Sequence, residues 1–116
     1  MWIFTRSGYL AITQNKEHKG LFHVRSRVKG DIERYWPTAE VEYTPEADYL
    51  YRTNLPKTEV MNAIGHAIMA ITYTSFKGSI EDVRRKPYIM DVWTATVGMQ
   101  EAILESEDAD ISGLSP

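Results

Sequence analysis

The chain has 116 residues, with 13 Lys and Arg against 16 Asp and Glu, a formal charge of −3 and no Cys. Domains cluster at roughly 100–150 residues, so this length fits one globular domain and excludes a second of ordinary size. The lack of Cys excludes a disulfide scaffold, a thiol nucleophile, an iron–sulfur site and a thiolate zinc site. The acidic balance argues against a dedicated duplex-DNA binder.

Two features bear on localisation. No basic region precedes the short apolar run Trp2-Ile3-Phe4, which argues against a signal peptide. The most apolar stretch, residues 63–73, is interrupted by Gly65 and His66, and it is much shorter than the roughly 20 residues that cross a bilayer. We therefore expect a cytoplasmic protein that does not engage a membrane.

The first predicted elements form a hairpin. Residues 2–6 and 9–13 alternate and are rich in aromatic and β-branched side chains, with Ser7 and Gly8 between them. This pattern predicts two strands joined by a two-residue turn, with one long bent strand as the alternative. The polar residues 14–20 that follow have the composition of a loop.

Residues 21–28 alternate more clearly. Side chains point to opposite faces at successive strand positions, so one face of this strand is expected to pack in the core. The other face would carry His23, Arg25 and Arg27.

The middle of the chain predicts a short helix and another strand. Residues 30–37 begin with acidic side chains that suit a helix N-terminus and end at Pro37. Residues 49–53 alternate as a strand, and residues 41–43 would either extend that strand or pair separately. Within an extended segment Asp48 and Arg52 lie about 13 Å apart, so we expect no direct ion pair between them.

From Pro56 onward the apolar spacing changes to that of helices. A stripe from Val60 to Ile71 predicts a helix of roughly four turns. A second helix is predicted over residues 75–85, ended or kinked by Pro87. A third is predicted over residues 88–104, from a stripe formed by Ile89, Val92, Trp93, Thr96, Met99 or Gln100, and Ile103.

Residues 105–116 are acidic and small, and such a segment buries too little surface to offset the entropy of ordering. We expect a disordered C-terminal tail. Without residues 101–116 the chain has 13 basic and 11 acidic side chains, so the tail supplies the net negative charge. A tail held close to the body could screen a basic surface.

The predicted fold class is α+β. We expect an antiparallel sheet of three to four strands, with a short helix and two to three longer helices packed on one face. The single domain is expected to span residues 1–104.

Several segments together carry a family resemblance. They are Trp2-Ile3-Phe4-Thr5 with Gly8-Tyr9, Val24-Arg25-Ser26-Arg27, Asp48-Tyr49-Leu50-Tyr51-Arg52, Tyr73 with Phe76-Lys77, and Val92-Trp93 with Gln100. These segments resemble a family of small bacterial and phage proteins of about 100 residues with no known activity. The resemblance covers residues 1–101 and implies a compact α+β protein of a bacterial or phage cytoplasm.

No catalytic constellation is visible in the sequence. The three histidines, His18, His23 and His66, have no second His or carboxylate at a spacing that would aim two ligands at one metal. The glycines are scattered and form no phosphate-binding loop, and no motif marks a nucleophilic serine. We expect no enzyme activity, with a cryptic hydrolase as the remaining alternative, and we expect no metal and no cofactor.

Basic and aromatic residues form the main candidate site. Arginines interleaved with aromatic residues on an open sheet are typical of single-stranded nucleic-acid binders. In the alternative, the tyrosines pack beneath the helices and the arginines are the ordinary polar face of a half-buried strand. The candidate binding face comprises Arg6, His23, Arg25, Arg27, Tyr49, Tyr51 and Arg52.

A second basic point comprises Arg84, Arg85 and Lys86. At the end of the helix predicted over residues 75–85, these side chains would also complement the helix dipole.

Two functions follow from these features. The first is a small interaction module that binds another protein, which in a phage setting would be a host or defence protein. The alternative is single-stranded nucleic-acid binding through the basic and aromatic sheet face. An open sheet face or an edge strand also permits a homodimer.

Overall fold

A computed structural model describes residues 1–114, with side chains described for residues 1–108. The chain divides into two compact units, one of residues 1–74 and one that begins at Ser75. The described elements are β1 Trp2–Thr5, β2 Gly8–Gln14, β3 Leu21–Ser26, β4 Glu42–Tyr43, β5 Tyr51–Pro56, α1 Lys57–Met69, α2 Phe76–Ser79 and α3 Lys86–Leu114.

The five strands form one antiparallel sheet in the order β1-β2-β3-β5-β4. This confirms the α+β class, with one strand more than the upper number expected, because β4 pairs with β5 as a separate strand. The predicted hairpin is present, but its turn is Arg6-Ser7, since Thr5 pairs directly with Gly8.

β3 has the predicted two faces. Val24 and Ser26 are fully buried, and Val24 lies opposite Ile12 of β2 and Thr53 of β5. The buried apolar cluster on this side of the sheet consists of Leu10, Ile12, Val24, Ile32, Trp36, Leu55 and Val60.

Residues 30–37 form consecutive turns, so the predicted short helix is wrong. Ile32 and Trp36 enter the core, and Gly30 adopts a φ of 94°. The Asp31 carboxylate accepts a hydrogen bond from the Tyr9 N–H at 3.0 Å. The carboxylate expected to favour a local helix N-terminus instead fastens this segment to β2.

α1 confirms the first predicted helix and follows Pro56 directly. Its first turns pack on the sheet through Val60, which is buried, and through Ala63 and Ile64. The apolar stripe continues beyond the covered part, because Ile68 is 60 % exposed and Ile71 is 48 % exposed. α1 therefore covers one face of β3 and β5.

In the second unit, the helix predicted over residues 75–85 is only the single turn α2. Ser75 caps it by accepting a hydrogen bond from the Gly78 N–H at 3.2 Å. The early end agrees with the poor helix propensity of Gly78. Residues 83–85 form a turn instead, in which the Asp82 carbonyl accepts the N–H groups of Arg85 and Lys86.

α3 starts at Lys86 and continues to Leu114, ten residues beyond the end predicted at Leu104. Pro87 falls in its first turn, where the missing N–H has no helical partner to lose. Residues 105–114 are thus helical where composition predicted a disordered tail, and no Pro or Gly lies between Gly98 and Gly113 to interrupt them. The last two residues of the predicted tail lie outside the described residues.

Across residues 1–114, no helix combines the length and the apolar character that a membrane span requires.

The core predicts that substitutions at Val24, which lies in β3, and at Val28, which follows β3, have different effects on stability. Val24 is fully buried and Val28 is 48 % exposed. Val24→Ala is expected to lower the free energy of unfolding by about 2–3 kcal/mol through lost burial and a cavity. Val28→Ala is the matched control and should change it by less than about 0.5 kcal/mol. β3 ends at Ser26, so Val28, which alternation had placed on the core face, lies beyond the strand. Urea denaturation measures both, and equal effects would contradict the burial of Val24 in the core.

Candidate functional site

The sheet face away from α1 gathers aromatic and arginine side chains. The register places Trp2 opposite Ala11 and Ala11 opposite Arg25, so these three residues share one face. Phe4 and Tyr9 form another cross-strand pair on that face. Because alternate strand residues share a face, short stretches of three strands build this surface.

Tyr49 lies at the centre of the surface, in the bend of residues 47–50 that precedes β5. Two guanidinium groups lie over its ring, with the Cζ atoms of Arg25 and Arg27 at 4.8 Å and 4.1 Å from the ring centroid. With the side chains of Arg25 and Arg27 over its ring, Tyr49 is only 5 % exposed. Such cation–π contacts stabilise by about 0.5–2 kcal/mol, and more when they are shielded from water.

Hydrogen bonds hold Tyr49 from several sides. Its hydroxyl lies 3.0 Å from the Tyr9 hydroxyl, and its N–H donates to Asp48 Oδ1 at 2.8 Å. Its carbonyl accepts from Arg52 Nη2 at 3.1 Å and from Thr44 Oγ1 at 3.2 Å. The bend and the ring are therefore fixed without any ligand.

The aromatic surface extends from Tyr49 to the edge of the sheet. Phe4 stacks on Tyr9 with a centroid distance of 4.4 Å, and Trp2 meets Tyr9 edge-on at 6.3 Å. Trp2 is 70 % exposed, although it stands in this packed row. We refer to Trp2, Phe4, Tyr9 and Tyr49 as the aromatic row.

The arginines differ in how far their charges are neutralised. Arg52 lies 3.9 Å from the Asp48 carboxylate, so the prediction that these two residues cannot pair is wrong. The reason is that Asp48 belongs to the bend and not to an extended strand. Among the described residues, no carboxylate lies within 4.0 Å of Arg25 or Arg27, and Arg27 Nη1 donates to the Asp48 carbonyl at 2.9 Å.

Burial raises the pKa of the Tyr9 phenol above its ordinary value. The hydrogen bond and the charge interaction with Tyr49 raise it further, while the nearby charges of Arg25 and Arg27 oppose the shift. The fold therefore keeps Tyr9 in its neutral, hydrogen-bonding form.

The predicted face is only partly assembled. Arg25, Arg27, Tyr49 and Arg52 come together, and His23 lies on the same face, where its Nδ1 is 3.0 Å from Asn54 Oδ1. Tyr51 was expected beside Tyr49, but it pairs with Ser26 on the core face and packs against the core.

Arg6 was predicted to lie on this surface, but the structure places it elsewhere. It lies in the turn between β1 and β2 and lines a pocket of about 280 Å³ with Tyr35 and Ile68. Because Ile68 belongs to α1, this places Arg6 toward the helix-covered side of the sheet.

Three residues of the aromatic row were missing from the predicted face, namely Trp2, Phe4 and Tyr9. The signal for them was present, because the alternation of the hairpin already places Trp2 and Phe4 on one side. What was missing was the register between β2 and β3, which aligns Ala11 with Arg25.

The second basic point lies ahead of a helix and not at a helix C-terminus, since α3 begins at Lys86. Asp82 binds Arg84 through both carboxylate oxygens, at 3.1 Å and 3.0 Å, and its Oδ2 lies 3.7 Å from Arg85 Nε. The hydrogen bonds from Arg84 lower the pKa of the Asp82 carboxyl to about 2. Part of this basic point is thus neutralised locally.

A groove of about 1020 Å³ lies on the side of α1 in the first unit, lined among others by Glu40, Glu59 and His66. Within the part of the chain that the structure describes, no group of three or more His, Asp or Glu side chains is placed to hold a metal ion.

Comparisons with protein-family models, with curated proteins and with solved structures find no match to this chain.

The raised pKa of the Tyr9 phenol predicts that the folded protein loses stability in alkali. An unfolded tyrosine titrates near pH 10, whereas the pKa of Tyr9 is raised in the fold. The stabilisation that follows from this raised pKa is fully present below about pH 10. It is lost as the pH rises from there toward the pKa of Tyr9 in the folded protein. In urea denaturation between about pH 9 and pH 11, Tyr9→Phe should flatten the fall in unfolding free energy.

Tyr88→Phe is the control. Because Tyr88 is 71 % exposed, this substitution should leave the fall in unfolding free energy unchanged. An equally steep fall in Tyr9→Phe and the unmodified chain would contradict the raised pKa of Tyr9.

Proposed function

We propose that this chain is a non-enzymatic interaction module of the cytoplasm that binds an acidic segment of another protein. The contact surface would be the sheet face away from α1. The observation that carries the proposal is the pair Arg25 and Arg27, held over the buried ring of Tyr49 beside the exposed Trp2.

The composition of this surface suits a protein partner. Trp, Tyr and Arg are the residues that most often dominate the binding energy of protein interfaces. Here the Arg25 and Arg27 side chains are already ordered on Tyr49, and Tyr49 is hydrogen-bonded to Tyr9. Binding would therefore lose less side-chain entropy than on a surface of free arginines.

The charge of the surface favours an acidic partner. Arg25 and Arg27 lack a carboxylate within ion-pair distance among the described residues. A partner carboxylate would gain charge-assisted hydrogen bonds from the guanidinium donors. An apolar or aromatic partner side chain would pack on the exposed Trp2.

Single-stranded nucleic acid is the second candidate, favoured by the placement of the arginines beside aromatic rings on one sheet face. Base stacking needs an accessible ring face. Tyr49 is 5 % exposed, and Phe4 and Tyr9 are half-buried and stacked on each other, so Trp2 is the most exposed ring of the aromatic row. The covered rings make this candidate weaker than protein binding.

A displayed peptide library screened against the purified chain tests the proposal. We expect the selected peptides to be rich in Asp and Glu with an apolar anchor. Truncating an interface anchor costs about 2 kcal/mol or more, so Trp2→Ala should weaken binding of the best peptide about thirtyfold. Arg27→Ala should weaken it about tenfold, while Lys16→Ala, in the exposed loop after β2, should not change it.

Selected peptides with no acidic bias, or affinities unaffected by Trp2→Ala and Arg27→Ala, would overturn the proposal. A fluorescein-labelled oligothymidine measured on the same variants separates the two candidates. Tight binding that weakens steeply with added salt and is lost in Arg27→Ala would establish the nucleic-acid function instead.

A further inference from the structure

The long helix α3 displays an apolar stripe at coiled-coil spacing. Its members, separated by three and four residues in turn, are Ile89, Val92, Thr96, Met99 and Ile103. Met99 and Ile103 are 59 % and 51 % exposed, and the flanking Trp93 is 49 % exposed. Spacings of three and four are those of the buried a and d positions of a two-helix coiled coil.

A stripe of this kind needs a covering surface. The 29 residues of α3 would extend about 43 Å, and helix stability in proteins comes mainly from packing of an apolar face. Ile89 and Val92 are half-buried, so Met99 and Ile103 are the most exposed apolar members of the stripe. Lys77 Nζ lies 4.2 Å from the centroid of the flanking Trp93 ring. Contiguous exposed apolar surface marks contact sites.

Opposite charges occupy the two ends of the segment. Arg84, Arg85 and Lys86 stand at its start, and the Arg84 side chain remains 88 % exposed although Asp82 binds it. Between residues 87 and 100 the single charged residue is Asp91. The later part carries exposed acids, which are Glu101, Glu105, Glu107 and Asp108.

We propose that α3 pairs in antiparallel orientation with α3 of a second copy of this chain. Pairing about a two-fold axis near Thr96 places residues 84–86 of each copy beside residues 106–108 of the other, which include Glu107 and Asp108. Both ends then join opposite charges, and the helix dipoles also oppose each other. A parallel pair would place acidic ends side by side, where like charges repel.

The proposal also agrees with the symmetry of natural assemblies, in which a two-fold dimer uses the same patch on both copies. The stripe is nearly centred on the axis, because Ile89 and Ile103 lie on either side of it. The dimer surface belongs to the second unit, and the aromatic row belongs to the first.

Sedimentation velocity of the full chain over a range of concentrations tests the assembly. We expect a species of twice the 13.3 kDa chain mass. Met99→Glu places a charge on the stripe and should weaken the dimer at least tenfold. Thr94→Glu adds the same charge on the opposite side of the helix and should leave the dimer intact, with circular dichroism confirming that both variants stay folded.

Cysteine cross-linking tests the orientation, because the chain has no Cys of its own. In an antiparallel pair Thr96→Cys, near the axis, forms a disulfide with its own copy. Ile89→Cys does not link to itself, but it links to Ile103→Cys when the two variants are mixed. A monomer at all concentrations would overturn the dimer, and self-linking of Ile89→Cys would overturn the antiparallel arrangement.

Discussion

The two faces of β3 determine what each side of the sheet can do. β3 pairs with β2 on one side and β5 on the other, so its register sets the faces of both neighbours. Val24 and Ser26 point into the core, while Arg25 points to the opposite face. A slip of one residue would exchange these faces and bury a guanidinium where Val24 now packs.

That constraint explains how a small sheet holds an ordered charged surface. Arg25 is placed by the strand, and Tyr49 is brought beneath it by a bend hydrogen-bonded through Asp48, Arg52 and Thr44. Tyr9 then joins Tyr49 to the hairpin through the two hydroxyls, and Asp31 holds the Tyr9 backbone. The site thus depends on four separate segments of the chain.

Local periodicity allowed much of the first unit to be predicted. The hairpin, the two faces of β3 and the helix that follows Pro56 depend on spacings within a few residues. The position of Tyr49 could not be predicted in this way, because its ring and hydroxyl contact residues distant in sequence, namely Tyr9, Arg25 and Arg27. The same holds for residues 30–37, where Asp31 bonds to β2 and the segment forms turns.

In the second unit, composition and spacing predicted less of the structure. Composition favoured disorder for residues 105–116, yet α3 continues to Leu114, since extending a helix that is already nucleated costs far less than starting one. Its stripe was visible in the sequence, but spacing alone does not show whether such a stripe lies in a core. The exposure of Met99 and Ile103 supplies that information.

The proposed contact surface depends on Tyr49, whose ring orders the Arg25 and Arg27 side chains before any partner binds. NMR of the arginine side chains tests this ordering directly, because a guanidinium over a ring face experiences a ring-current shift. In the free protein we predict upfield-shifted Hε and Hδ signals for Arg25 and Arg27, which move to the values of an unstructured arginine in Tyr49→Leu while the core signals persist. Unshifted signals in the unmodified protein, or signals unchanged by Tyr49→Leu, would contradict the account.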